Sequence, residues 1–87
     1  MQKRTFDLSD LSRILRVAAG SKTEIVAELA NERFEDLGYD SLALLETSGR
    51  IEREYDIALE DSTISDAYTP ALLVETVNRQ LAAVYAS

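Results

Sequence analysis

The sequence predicts an all-α domain: a small three- to four-helix bundle with a long loop between the first two major helices. Three segments place apolar residues at spacings of three, four and seven, the pattern of helices with one buried face. Each segment follows a residue that can cap a helix, and no segment alternates polar and apolar residues as a strand does. We expect residues 1–87 to form a single domain.

The first helix is expected to begin after Asp7 or Ser9, either of which can cap it, and to run to about Ala19. Gly20 would stop it. Residues 1–6 lack a pattern and are expected to fray. The buried stripe of this helix would comprise Leu8, Leu11, Ile14, Leu15 and Ala18.

Residues 21–40 form a long connection with weak signals. A loop of this length in so small a domain is usually functional or contains a hidden turn of helix. Four apolar side chains are expected to anchor it to the core: Ile25, Leu29, Phe34 and Leu37.

The second helix is predicted over residues 41–55. At 100° per residue, its core face collects Leu44, Thr47, Ser48, Ile51 and Tyr55. A second sector combines Leu42 and Leu45 with the acidic residues Glu46 and Glu52. Apolar side chains rimmed by acids are typical of an interaction surface. For one of the two leucines we expect packing under the preceding loop instead.

Thr47 and Ser48 place hydroxyls where a core stripe would favour aliphatic side chains. The common explanation is that each bonds the carbonyl one turn back. The alternative is that they line an internal groove for a partly polar guest molecule. Gly49 costs about 1 kcal/mol relative to Ala in a helix interior. Close approach of a partner, crowding against the first helix or simple tolerance would each explain it.

The last third of the chain predicts a short helical turn and a final helix. Ile64 and Ala67 suit the short turn, and Thr69 caps the last helix, which Pro70 opens. Its buried stripe would comprise Leu73, Val77, Leu81 and Val84.

The run from Leu37 to Leu42 exposes one serine hydroxyl at the start of the second helix. Asp40 can cap that helix, so Ser41 would lie at its positive end, where a phosphate on the serine oxygen would meet free N–H groups. No base or second nucleophile is nearby in sequence. Ser41 is therefore interpreted as an attachment point and not as a catalyst.

Composition limits the possible functions. The chain contains neither Cys nor His, which excludes disulfides, thiolate metal sites and Ser-His-Asp catalysis, so we expect no metal site and no enzymatic activity. The net charge is −7, and residues 34–66 hold ten acids against two arginines. This charge disfavours nucleic acid as a partner and favours basic protein surfaces, although an acidic face also simply keeps a protein soluble.

No apolar run is long enough to span a membrane, and the N-terminal residues do not form a signal peptide. We expect a cytoplasmic monomer without membrane contact.

Together these residues resemble an acyl carrier protein, and more narrowly the free-standing carriers of type II aromatic polyketide synthases. The resemblance rests mainly on residues 33–47, RFEDLGYDSLALLET, which open an acidic helix. Ala43 stands where fatty-acid carriers tend to have an acid, which favours the polyketide group. Tyr68 departs from the polar residue expected there, and residues 21–31 match poorly. Further matches are Asp10-Leu11, Ala18–Gly20, Arg50–Glu52, Tyr55 and Thr69-Pro70.

The resemblance implies that a phosphopantetheinyl transferase attaches 4′-phosphopantetheine to Ser41, with Asp40 contacting the transferase's metal ion. The thiol of that arm would carry malonyl units and the growing polyketide as thioesters. The implied partner enzymes are a ketosynthase with its chain-length factor, a malonyl transferase, a ketoreductase and cyclases. They would contact Leu42, Leu45, Glu46 and Glu52.

Two alternatives remain open. A fatty-acid, aminoacyl or peptidyl carrier would use the same serine, and a pure interaction module would never receive the arm.

Overall fold

A computed structural model describes residues 5–20, 24–60 and 62–86, with the side chains of Ile64, Tyr85 and Ala86 left out. The described chain is all-helical, which confirms the predicted fold class, and the long loop contains the hidden helical turn as a 3₁₀ segment. The elements, in order, are α1 (Leu8–Ala19), a 3₁₀ turn (Ala27–Leu29), α2 (Ser41–Tyr55), α3 (Thr63–Asp66) and α4 (Pro70–Ala86).

Caps place the helix boundaries where the sequence predicts them. Asp7 accepts the Asp10 backbone N–H at 2.9 Å, and the Asp10 side chain accepts the Asp7 N–H at 3.1 Å, which forms a capping box. Gly20 ends α1 in the left-handed conformation, with φ 66°. Thr69 precedes Pro70, the first residue of α4, as expected.

The core lies between α1, α2 and α4. The predicted core face of α2 is buried in full. Val84 is a wrong prediction, since it is 52% exposed; its neighbour Ala83 is exposed too, so this end of α4 extends past the core. From α1 and α4 the core receives Leu11, Ile14, Leu15, Leu73, Val77 and Leu81.

The N-terminal segment belongs to the core at Phe6, which is 2% exposed. Its ring meets that of Tyr55 edge to face, with centroids 5.3 Å apart. Asn78 of α4 holds the Phe6 backbone from both sides: Oδ1 accepts its N–H at 2.8 Å, and Nδ2 donates to its carbonyl at 2.7 Å. The expectation that residues 1–6 fray is therefore wrong at Phe6, and residues 1–4 lie outside the described residues.

The long loop is anchored by the four side chains predicted to do so. Ile25 and Phe34 are buried, and Leu29 and Leu37 pack half-buried against the core. A serine of α1 adds polar contacts: Ser12 Oγ accepts the Ile25 N–H at 2.8 Å and donates to its carbonyl at 3.2 Å. Among the described helices, none is long and apolar enough to cross a membrane.

Candidate functional site

Ser41 is the first residue of α2, and its side chain is exposed. The residue before it, Asp40, is the N-cap: its Oδ1 accepts the Ala43 backbone N–H at 2.8 Å. The serine hydroxyl and an acidic cap thus adjoin each other at the start of the helix, as the sequence predicts.

The backbone before Ser41 is held by a tight turn. Gly38 adopts φ 92°, a conformation that other residues rarely take. The N–H of the buried Tyr39 then returns to the carbonyl of Phe34 at 2.9 Å, and the two rings meet edge to face with centroids 6.0 Å apart. Phe34 in turn donates its N–H to the carbonyl of Tyr68 at 2.9 Å. The exposed serine therefore stands on a firmly anchored backbone.

The N-terminus of α2 provides favourable electrostatics for an anion on Ser41. The N–H groups of the first residues of a helix have no acceptor within the helix, and the Asp40 cap takes that of Ala43. No hydrogen bond among the described residues uses the N–H groups of Ser41 and Leu42. Together with the helix dipole they favour negative charge at this point.

Two clefts flank the start of α2. The α1-side cleft, of about 510 Å³, lies between the end of α1 and the first turns of α2, and its acidic side chains are Asp40 and Glu46. The α3-side cleft, of about 370 Å³, is lined by Ser41 itself together with residues of the preceding turn, α3 and the α3–α4 link. Only the latter has Ser41 in its wall, so it is the recess into which a group on that residue most directly leads.

The predicted partner surface is accessible at three of its four residues. Leu42 is 63% exposed and Leu45 is 58% exposed, and Glu46 is exposed beside them. The expectation that one of these leucines packs under the preceding loop is therefore wrong. The loop residue that packs against the core near this point is Leu37.

Glu52 has a structural contact that the sequence does not predict. It is half-buried, and its Oε2 accepts the Leu59 backbone N–H at 2.8 Å. The carboxylate thereby fixes the chain that leaves α2. Glu52 therefore has a structural role in the fold, whereas Glu46 is exposed to solvent.

The two hydroxyls on the core face of α2 differ from each other. Thr47 Oγ1 donates to the Ala43 carbonyl one turn back at 2.8 Å, the common structural role. Ser48 Oγ is buried and has no hydrogen-bond partner within the part of the chain that the structure describes. If one of these hydroxyls lines a groove for an acyl chain, Ser48 is the better candidate, because its hydroxyl is free to hydrogen-bond to that chain.

Comparison with known proteins identifies the family. Residues 10–77 match the family model described as "Phosphopantetheine attachment site". The chain is 50% identical over 84 residues to the monensin polyketide synthase acyl carrier protein of Streptomyces virginiae, covering 95% of this chain and 96% of that protein.

The chain belongs to the type II polyketide synthase acyl carrier proteins.

Other relatives of the carrier protein agree. The oxytetracycline polyketide synthase acyl carrier protein of Streptomyces rimosus is 46% identical over 76 residues, with 85% of this chain and 80% of that protein covered. The solution structure of the oxytetracycline acyl carrier protein superposes with a TM-score of 0.81 at 42% identity, covering 93% of this chain and 87% of that one. The actinorhodin holo acyl carrier protein from S. coelicolor superposes with a TM-score of 0.81 at 36% identity, covering 94% of this chain and 98% of that one.

The prosthetic group of the carrier protein is covalently bound 4′-phosphopantetheine. The residues at the start of α2 fit that group. An exposed hydroxyl opens into a cleft, two backbone N–H groups are available beside it, and one cation, Arg33, lines the same cleft.

Sequence reasoning missed the side-chain pair that borders this cleft. The Arg33 guanidinium carbon lies 5.3 Å from the ring centroid of Tyr68, within the range of a cation–π contact. The sequence flags Tyr68 only as a departure from the family pattern. Its partner is distant along the chain, and no local pattern connects the two positions.

Proposed function

We propose that Ser41 is the residue of the carrier protein that bears the phosphopantetheine arm. The observation that carries this proposal is the exposed hydroxyl at the first position of α2, capped by Asp40 and opening into the α3-side cleft. In the transfer, the Ser41 oxygen forms a bond to the phosphorus of coenzyme A's pyrophosphate that carries the pantetheine. The oxygen bridging the two phosphorus atoms leaves with the nucleotide, and the serine proton is lost to a base of the transferase.

Asp40 has two functions in this proposal. Its Oδ1 caps α2 and thereby fixes the direction of the neighbouring serine. Because Asp40 is exposed, its other oxygen, Oδ2, is available to a metal ion of the transferase, the kind of contact that a carboxylate oxygen makes. Replacement of Asp40 would therefore affect both helix stability and arm attachment.

The thiol of the attached arm supplies the thioester that carries malonyl units and the growing polyketide. The protein contributes presentation and recognition, and no catalysis of its own. The chain has no histidine or cysteine to act as a general base or nucleophile beside Ser41.

The attachment proposal is tested by intact mass after incubation with coenzyme A and a phosphopantetheinyl transferase. The wild-type chain should gain the mass of one phosphopantetheinyl group, and Ser41→Ala should gain none. Ser65→Ala is the matched control, because Ser65 is exposed and lines the same cleft; it should load like the wild type. Full modification of Ser41→Ala would refute the assignment.

The partner enzymes are proposed to be a ketosynthase with its chain-length factor, a malonyl transferase, a ketoreductase and cyclases, together with the transferase. The exposed Leu42, Leu45 and Glu46 support a docking surface beside the serine. A few apolar contacts with acidic steering give fast, reversible association, which a carrier that visits several enzymes in turn requires.

Glu46→Lys tests this surface. The charge reversal should slow loading by the malonyl transferase or transfer to the ketosynthase by roughly tenfold at low salt, and less at high salt. Glu28→Lys, an equal change at an exposed position of the 3₁₀ turn, is the control and should react normally. Equal rates for the two variants would show that the acidic face only solvates the protein. Glu52 is unsuitable for this test because its carboxylate holds Leu59.

A further inference from the structure

Arg33 and Tyr68 form a cation–π pair in the wall of the α3-side cleft, close to the start of α2. Their side chains are both exposed, and the guanidinium stacks 5.3 Å from the centre of the ring. The backbones beneath them are joined, because Phe34 donates its N–H to the carbonyl of Tyr68 at 2.9 Å. The pair therefore stands on two segments that hold each other in place.

Charge distinguishes the two clefts beside Ser41. Arg33 and Tyr68 line the α3-side cleft together with Ser41. Within the described residues, Arg33 is the only basic side chain in the wall of either cleft. The α3-side cleft also contains Glu35 and Asp40, so its charge is mixed, whereas the charged side chains of the α1-side cleft, Asp40 and Glu46, are all acidic. A phosphodiester on Ser41 already adjoins the carboxylate of Asp40, so the cleft that offers a cation is electrostatically favoured.

Tyr68 adds an apolar contact to that cation. Arg33 covers part of the ring, yet 49% of Tyr68 remains exposed. The segment of phosphopantetheine that follows the phosphate carries two methyl groups, which an exposed aromatic ring can cover. The cleft thus offers one partner for each part of the proximal arm, a cation for the phosphate and an aromatic ring for the methyl groups.

We propose that Arg33 and Tyr68 position the proximal part of the arm, with the Arg33 guanidinium paired to the phosphodiester and the Tyr68 ring packed against the methyl groups. The inference rests on attachment at Ser41. It directs the arm along the α3-side cleft and away from the α1-side cleft. Exposed pairs of this kind are weak, so the arm releases readily to partner enzymes.

The test is NMR of the loaded protein. Nuclear Overhauser effects (NOEs) are expected between the arm's methyl protons and the Tyr68 ring. NOEs to Ala18 and Ala19 of the α1-side cleft in their place, or none to either cleft, would overturn the inference. Intact mass of the same sample separates the two proposals: a sample without the added group contradicts attachment, and a loaded sample without these NOEs contradicts only the positioning.

Matched variants assign the two roles. Arg33→Gln should shift the ³¹P resonance toward that of free phosphopantetheine and weaken the Tyr68 NOEs by about twofold or more, whereas Arg33→Lys should retain part of both signals. Arg50→Gln removes the same charge from an exposed position outside both clefts and should change neither. Tyr68→Phe should keep the contact, and Tyr68→Ala should lose it. Arg33→Gln spectra identical to those of Arg50→Gln would refute the role of the guanidinium.

Discussion

Two buried serines show how different the same residue type can be in this molecule. Ser12 hydrogen-bonds to both the N–H and the carbonyl of Ile25. It thereby satisfies two backbone groups of the long loop, where helical hydrogen bonds do not pair them. Ser48 is 8% exposed, and none of the described residues provides a hydrogen-bond partner for its hydroxyl oxygen. The first side chain supports the structure, and the second imposes the cost of an unpaired polar group.

Substitution of these serines should therefore have opposite consequences. Ser12→Ala leaves the Ile25 backbone groups unpaired, which should reduce the free energy of unfolding by about 1–3 kcal/mol. Ser48→Ala removes no bond and adds a better helix former, so its stability should stay within about 0.5 kcal/mol of wild type or rise. Denaturant unfolding of both variants makes the comparison. Equal losses would mean that Ser48 has a bonding partner in solution.

At the scale of elements, α2 contains a glycine that the fold does not require. A Cβ built on Gly49 would meet only Arg53 Nη1, at an ordinary 3.5 Å. Crowding against α1 is therefore not the reason for the glycine. The two remaining explanations for Gly49 are simple tolerance and close approach of a partner.

Gly49→Ala should raise the free energy of unfolding by about 1 kcal/mol, because alanine has the higher helix propensity. Gly20→Ala provides the contrast: φ at Gly20 is 66°, so the substitution should destabilise by a similar amount, although a Cβ there would meet none of the described atoms within 4 Å. Thermal unfolding tests the pair. A stable Gly49→Ala protein that reacts slowly with the proposed ketosynthase partner would identify close approach of a partner; normal reaction would favour simple tolerance.

Helices α1 and α2 are joined by a polar cluster at the edge of the core. Arg13 pairs with Glu54 at 2.8 Å beside Tyr55. Burial raises the pKa of Tyr55 above its usual 10.0, the Asp10 and Glu54 carboxylates raise it further, and Arg13 opposes them. The folded state therefore favours the neutral phenol.

This shift predicts an alkaline loss of stability. Since the folded pKa lies above the unfolded value, the contribution of Tyr55 is complete below pH 10.0 and disappears as the pH rises through the folded pKa. Tyr55→Phe should flatten the fall of the melting temperature above pH 10.0. Equal pH profiles for wild type and Tyr55→Phe would contradict the assignment.

For the molecule as a whole, charge is distributed unevenly. The net charge is −7, and the excess of acids lies in residues 34–66. Exposed like charges within about 10 Å of one another repel appreciably until salt of roughly 0.1 M screens them. The fold therefore tolerates a repulsion that the proposed docking surface would use for steering.

Added salt should accordingly stabilise the carrier protein by about 1 kcal/mol, or roughly 5 °C in melting temperature. The combined variant Glu60→Gln, Asp66→Asn removes two exposed acids near α3 and should respond less. Calorimetry over a salt series provides the measurement. A flat response in the wild type would show that the repulsion is negligible.

The parts of this molecule that the sequence predicts are those that local rules decide. Asp7, Asp40 and Pro70 indicate where helices start, and the 3.6-residue period predicts the whole buried face of α2. The position of Ser41 follows from the same rules.

Contacts between distant residues are what the sequence does not predict. Phe6 reaches Asn78 across 72 positions, and the contact of Arg33 with Tyr68 depends on where the long loop meets the α3–α4 link. Even the bond from Leu59 to Glu52 depends on the path of the chain after α2, which no local pattern predicts. Periodicity cannot reveal such contacts because it describes one segment at a time.

The bonds between Phe6 and Asn78 have a practical consequence for anyone who shortens this protein. A fragment that starts at Leu8 would retain every helix, yet α4 would lose two hydrogen bonds and Tyr55 its aromatic neighbour. Fusion partners and purification tags are therefore best joined ahead of Thr5, through a flexible spacer that leaves Phe6 in contact with Tyr55 and Asn78.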